Sequence, residues 1–162
     1  MSKRLWMIIS IIIAVFIGFA WVSGSKNPVE SSADSGKRLT HIIGKQDSKV
    51  TLVEYSDFQC PACGAYYPIV EQVVEKYKDR VNFEYRQYPL ATIHHNAFAA
   101  ARASEAASKQ GKFWEMYRLL FADQSAWENS GNAQSTFEGY ARQLGLDRAR
   151  FKTDFASSET TA

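Results

Sequence analysis

The sequence predicts an α/β domain that is preceded by one membrane-spanning helix. Three features predict this class: an apolar run near the N-terminus, a strand–helix–strand pattern over residues 50–88, and a series of helical patterns from residue 95 onward. A strand, a crossover helix and a second strand form a βαβ unit with two parallel strands. We therefore expect a sheet that packs against helices.

Composition and cysteine count exclude several classes of protein. With 162 residues, of which 46% are hydrophobic, the chain is long enough for one domain and an anchor. The net charge of +2 and the interleaved charges do not indicate nucleic-acid binding. Two cysteines are too few for a disulfide scaffold or a structural zinc site. The pair is therefore predicted to be reactive, with no metal and no cofactor.

The N-terminal apolar run, residues 5–22, is predicted to be a transmembrane anchor. As a helix it spans roughly 27 Å, close to the hydrocarbon thickness of a bilayer. Lys3 and Arg4 place residues 1–4 in the cytoplasm by the positive-inside rule. A cleaved signal sequence is the alternative, because small residues follow the run. Both interpretations place the remaining chain on the extracytoplasmic side of the cell membrane.

A linker and a domain follow the anchor. Residues 23–38 are rich in Ser, Gly and charge, which predicts a flexible linker to a domain over residues 39–162. Pro68 is expected to kink the first helix of the domain. The first four elements are predicted as a short edge strand at 40–44, a strand at 50–56, a helix at 61–77 and a strand at 81–88.

Helical patterns dominate the sequence after Pro89. An Ala-rich helix at 95–110 is expected to end at Gly111, and Gly145 separates the last two helices. The later helices are predicted at 112–122, 134–144 and 147–155.

Cys60 and Cys63 form a Cys–Pro–Ala–Cys motif at the predicted start of the first helix. Residues three apart share one helix face, so the two thiols can close a small disulfide ring. Free backbone N–H groups and the helix dipole stabilise an anion at a helix N-terminus. Cys60 is therefore predicted to be the attacking thiolate and Cys63 the resolving cysteine of a redox disulfide. Pro61 suits the first turn because its missing N–H needs no partner.

Five runs of sequence resemble the DsbA-like thioredoxin family of thiol–disulfide oxidoreductases: TLVEYSDFQCPACG, FEYRQYPL, HHNAFAAARA, QGKFWEMYRLLF and YARQLGLD. The resemblance covers about residues 42–160. It implies a thioredoxin-like fold with a helical insertion at about 91–156. It further implies oxidation of exported or unfolded proteins with thiols. Reoxidation is then expected from a quinone-linked membrane partner, DsbB-like or vitamin K epoxide reductase-like.

The resemblance also implies roles for residues beside the cysteines. Glu54, six residues before Cys60, matches a buried acid that moves a proton to or from the inner thiol. The alternative for Glu54 is a surface position on the strand. Ala62 stands where well-known oxidases of the family have His. The aromatic residue Phe58 is expected in the core, and a position in the groove around Cys60, together with Tyr66, is its alternative. Weaker candidates are Asp57 as a turn cap, Gln59, and the pair His94–His95.

The sequence leaves several functions open. The same cysteines suit a disulfide reductase or isomerase, and two thiolates also suit a copper(I) carrier that is not an enzyme. The family's further strands, including the one that opens with a cis-proline loop, have no counterpart before Ala162. We therefore expect the C-terminal strands to be missing, leaving an unpaired sheet edge, so an inactive fragment is a further alternative.

Overall fold

The computed structural model describes residues 40–157. Its sheet has three strands, β1 (His41–Gly44), β2 (Thr51–Ser56) and β3 (Asn82–Gln87). Strand β3 lies in the centre, antiparallel to β1 and parallel to β2. The predicted strands and their parallel βαβ connection are therefore confirmed.

Six helices complete the described part of the chain: α1 (Pro61–Tyr77), α2 (Ala97–Ser108), α3 (Phe113–Ala122), α4 (Gln124–Trp127), α5 (Ala133–Gln143) and α6 (Arg148–Ala156). Helix α1 has the predicted bounds and contains Pro68. The others lie within two residues of their predicted bounds, except the single turn α4, which the sequence did not predict. Gly111 and Gly145, both at positive φ, follow α2 and α5 as expected.

The core lies between the sheet and the inserted helices. Helix α2 packs against α3, α5 and α6, and its alanines allow this close approach because their side chains are small. Aromatic side chains fill the space between β3 and α3, where Tyr85, Tyr117 and Phe58 are almost fully buried. Their rings make edge and stacked contacts at 5.1–5.9 Å. This aromatic cluster lies behind the segment that carries the cysteines.

Within residues 40–157, no helix is both long enough and apolar enough to cross a membrane. The predicted anchor (5–22) and linker (23–38) lie outside the described residues, so both stay predictions.

Candidate active site

The two cysteines lie where the sheet meets α1. Strand β2 ends at Ser56, a short turn follows, and Cys60 is the N-cap residue of α1 with extended backbone angles. The Cys60 N–H donates to the Asp57 carbonyl at 3.1 Å, and the Gly64 N–H donates to the Cys60 carbonyl at 3.0 Å. Both thiols are free and partly exposed. Cys60 thus occupies the anion-stabilising position that the sequence predicts.

Asp57 fixes the turn before Cys60. Its carboxylate is buried and accepts the backbone N–H groups of Gln59 at 2.8 Å and Leu90 at 3.0 Å. His94 Nδ1 lies 2.7 Å from the same carboxylate. The turn-capping role considered for Asp57 is therefore confirmed, and His94 joins the site through this contact. His95 is exposed.

Three side-chain amides connect the cysteine turn to the inserted helices; we call Gln59, Asn96 and Gln124 the amide brace. Gln59 donates to the Glu128 carbonyl and accepts from the Asn96 N–H, both at 2.6 Å. The Asn96 side-chain amide donates to three carbonyls at the end of α4 and directly after it, those of Trp127, Glu128 and Ser130. The brace adds side-chain donors to backbone carbonyls of the turn, which ties the cysteine segment to the inserted helices.

Gln124 binds the redox motif itself. Its Nε2 donates to the carbonyl of Phe58 at 2.6 Å and to that of Cys60 at 3.1 Å. A Cβ atom added to Gly64 would lie 2.6 Å from Gln124 Oε1. Glycine at position 64 therefore leaves the space in which Gln124 reaches the cysteine turn.

Glu54 lies on β2, the strand that leads to the cysteine turn, and is half-buried. Tyr117, from α3, donates its hydroxyl to Glu54 Oε2 at 3.3 Å. Burial raises the pKa of the Glu54 carboxyl, the hydroxyls of Ser56 and Tyr117 oppose this, and the charge of Glu71 adds to it. The interior position expected for Glu54 is therefore observed, and its role as a proton shuttle stays a prediction.

Cys63 differs from Cys60 in its surroundings. Burial raises the pKa of the Cys63 thiol, and a hydrogen bond with Cys60 acts in the same direction. The Asp57 backbone and the Ser56 hydroxyl act in the opposite direction. Since burial is the largest cause, Cys63 holds its proton until a base removes it.

Two of the residues predicted to support the site lie at the surface, and one does not. Pro61 and Ala62 are exposed in the first turn of α1. The core position expected for Phe58 is confirmed and the alternative in the groove is wrong, because its ring is 1% exposed and packs on Tyr85 and Phe121. Phe58 instead supports the cysteine turn from the core and through its carbonyl, which Gln124 binds.

Sequence reasoning missed Ser56, Tyr117 and Gln124 as site residues. Ser56 could have been found, because it follows Glu54 by two residues and so shares its face of the strand. Gln124 gave no such signal, since it lies in a single helical turn 64 residues from Cys60.

Comparisons with known proteins agree with this fold. A family model described as Thioredoxin matches residues 37–162. A thioredoxin-like oxidoreductase from Silicibacter pomeroyi DSS-3 is 29% identical with a TM-score of 0.61, over 75% of this chain and 66% of that one. BdbD from Bacillus subtilis, in its oxidised form, is 25% identical with a TM-score of 0.60, over 70% of this chain and 64% of that one.

A curated relative carries a different kind of name. The chain is 39% identical over 116 residues to Na(+)/H(+) antiporter NhaA 1 of Salinispora arenicola, which is 72% of this chain and 17% of that protein. The chain thus spans less than a fifth of the length of this relative. The likeness therefore concerns one segment of the antiporter.

Proposed function

The chain belongs to the thioredoxin family, and from this premise we propose that it is a thiol–disulfide oxidoreductase that oxidises exported proteins through Cys60 and Cys63. One observation carries the proposal: a Cys-x-x-Cys pair stands at the N-terminus of α1, and its inner thiol, Cys63, shares the neighbouring Ser56 hydroxyl with a half-buried carboxyl, Glu54. The likeness to the oxidoreductase of Silicibacter pomeroyi supports the same reaction class.

The proposed reaction exchanges one disulfide for another. A substrate thiolate attacks Cys60 Sγ of the Cys60–Cys63 disulfide, and Cys63 leaves as a thiolate that takes up a proton. A second substrate thiolate then attacks the substrate sulfur of the mixed disulfide and releases the Cys60 thiolate. The substrate loses two electrons and gains a disulfide, while the enzyme gains those electrons and becomes the dithiol.

Location and partners are part of the proposal. We place the domain on the extracytoplasmic side of the cell membrane, tethered by residues 5–22, because disulfides persist outside the cytoplasm. The dithiol must lose two electrons before each new cycle. A quinone-linked membrane reoxidase, DsbB-like or vitamin K epoxide reductase-like, would accept them.

Reduction or isomerisation is the second candidate, because Ala62 stands between the cysteines where a His would favour the thiolate form. The reduction potential of the Cys60–Cys63 couple separates the two directions. Equilibration of the full chain with glutathione is expected to give a value nearer to about −120 mV, as for an oxidase, than to about −270 mV, as for a reductase.

The proposed function is tested with the full chain in detergent, a reduced two-cysteine peptide and glutathione disulfide as reoxidant. Cys60→Ser is expected to abolish peptide oxidation. With glutathione disulfide alone, Cys63→Ser is expected to accumulate a Cys60–glutathione mixed disulfide that mass spectrometry detects, because the Cys60 thiolate displaces one glutathione and no Cys63 thiol is present to release the other. Ala65→Ser is the matched control, because it places a hydroxyl on an exposed position of the same helix. If the Cys60→Ser protein oxidised the peptide at the natural rate, the proposal would be contradicted.

A further inference from the structure

Ser56, the last residue of β2, carries a hydroxyl with no assigned task. The residue is 3% exposed, and its Oγ forms no hydrogen bond of good geometry within residues 40–157. A buried hydroxyl without a partner costs free energy, so such groups are rare in folded proteins. The Ser56 carbonyl, in contrast, is satisfied, because it accepts from Tyr85 Oη at 3.2 Å and from the Tyr88 N–H at 2.9 Å. The cost therefore lies in the side chain alone.

The Ser56 hydroxyl is close to both groups that exchange a proton in the reaction. Residues two apart on a strand share one face, so Ser56 and Glu54 point to the same side of β2. Burial raises the pKa of the Glu54 carboxyl and of the Cys63 thiol, and the Ser56 hydroxyl opposes that rise in both. A serine hydroxyl can donate one hydrogen bond and accept another at the same time. Ser56 is thus suited to connect the two groups.

Other titratable groups around Glu54 are less suited to this task. Tyr117 on α3 and Tyr85 on β3 both have a pKa raised by burial first and by nearby negative charge second, so they keep their protons. Glu71 on α1 pairs with Arg118 at 3.0 Å. On the Cys63 side, the Asp57 backbone can stabilise the thiolate but cannot pass a proton on.

We propose that Ser56 is a catalytic residue that relays a proton between Glu54 and Cys63, a role that rests on the proposed thiol–disulfide exchange. When Cys63 leaves the disulfide as a thiolate, Ser56 gives its hydroxyl hydrogen to Cys63 Sγ and takes the carboxyl hydrogen of Glu54. The products are a Cys63 thiol, an unchanged serine and a Glu54 carboxylate. Reoxidation runs the transfer in reverse, so no further donor or acceptor is needed.

A double-mutant cycle tests the relay in the full chain. The rate at which a two-cysteine peptide reduces the Cys60–Cys63 disulfide is measured at pH 5–8 by acid quench, alkylation and mass spectrometry. Ser56→Ala is expected to slow this step about 100-fold at pH 7, as for loss of an acid–base path. Ser56→Thr keeps the hydroxyl and is expected to stay within about twofold of the natural chain.

The cycle is completed in the Glu54→Gln background, where Ser56→Ala is expected to cause less than about a twofold further loss. The relay is overturned if the double variant loses the product of the rate factors of Ser56→Ala and Glu54→Gln. It is also overturned if Ser56→Ala keeps the natural rate. The same holds if Ser56→Thr is as slow as Ser56→Ala, because shape rather than the hydroxyl would then matter.

The natural chain gives an independent measurement that needs no variant. A relay moves two protons in one step, so a plot of the reduction rate against the deuterium fraction in H₂O–D₂O mixtures should be curved. A straight plot would overturn the relay. Loss of the relay and loss of the proposed function are distinguishable. In the first case peptide oxidation still depends on Cys60, and in the second it does not.

Discussion

The two sides of the cysteine pair differ in the kind of group that contacts them. On one side the amide brace (Gln59, Asn96 and Gln124) binds backbone atoms and carries no charge. On the other side the Ser56 hydroxyl acts on both the Cys63 thiol and the Glu54 carboxyl. All three of these groups can exchange protons. The brace therefore sets the position of Cys60, whereas the interior side sets the protonation of Cys63.

This difference implies different costs for the two sides. A neutral amide that binds two carbonyls stabilises both the fold and the site, since its hydrogen bonds satisfy groups that folding removes from water. A half-buried carboxyl does the opposite at neutral pH, because its charged form is poorly solvated. Variants on the brace side should thus lose stability and activity together. Variants on the interior side should lose activity while they gain or keep stability.

Glu54→Gln gives the largest effect that we expect from this comparison. Because the pKa of Glu54 is raised in the folded chain, protonated Glu54 favours folding at low pH, and this contribution disappears as pH rises through the raised value. The variant should therefore melt a few degrees above the natural chain at pH 7, with no difference near pH 4. Its rate of disulfide reduction should fall about 100-fold.

Thermal melting of the reduced proteins at both pH values measures the first effect, and the peptide assay measures the second. Glu138→Gln is the matched control, because its pKa is lowered by the hydrogen bond from Lys152, so the same substitution should destabilise. A Glu54→Gln protein that is less stable than the natural chain at pH 7 would break the comparison on the interior side.

Sequence reasoning predicted the parts of the molecule that depend on local pattern. Strand β2, helix α1 and the position of Cys60 at their junction follow from residues within one segment of about 27, where apolar spacing and Pro61 define the elements. Glu54 was predicted to be interior from its resemblance to a family position and from its apolar neighbours. The position of Cys60 and the interior position of Glu54 could therefore be predicted before the fold was known.

Contacts between residues far apart in the chain could not be predicted from the sequence. The turn α4 has four residues, too few for a periodic pattern, and Gln124 reaches Cys60 only because the inserted helices return to the sheet. For Phe58 the sequence favours the core but leaves the groove open, since an aromatic residue beside a reactive cysteine suits either position. Only the packing of Tyr85 and Phe121 against it decides for the core.

Gln124→Ala tests the brace side and should have a smaller effect than Glu54→Gln. It removes two hydrogen bonds, which predicts a loss of about 1–2 kcal/mol in the free energy of unfolding. The rate of peptide oxidation should fall several-fold, because Cys60 is held less firmly. Denaturant unfolding and the peptide assay measure the two effects.

The control for this variant is Gln134→Ala. Its exposed side-chain amide donates to Glu138 of the same helix and makes no other hydrogen bond within residues 40–157. It should change the free energy of unfolding by less than about 0.5 kcal/mol. If Gln124→Ala lowers stability while the oxidation rate stays at the natural value, the brace supports the fold without positioning the cysteine.

Gly64→Ala is expected to give the smallest change in stability. Alanine favours a helix interior over glycine by about 1 kcal/mol. The added Cβ atom, however, would lie 2.6 Å from Gln124 Oε1 and must displace that side chain from the Phe58 and Cys60 carbonyls. Gain and loss nearly cancel, so the free energy of unfolding should move by less than about 1 kcal/mol while the oxidation rate falls as in Gln124→Ala.

The double variant Gly64→Ala/Gln124→Ala separates these two contributions. With the glutamine side chain already removed, the alanine at position 64 meets no obstacle and keeps its helical advantage, so the double variant should be more stable than Gln124→Ala alone by about 1 kcal/mol. Its oxidation rate should equal that of Gln124→Ala, because the same contact to Cys60 is lost only once. A double variant that is slower than both single variants would mean that Gly64 serves the cysteines by a route other than Gln124.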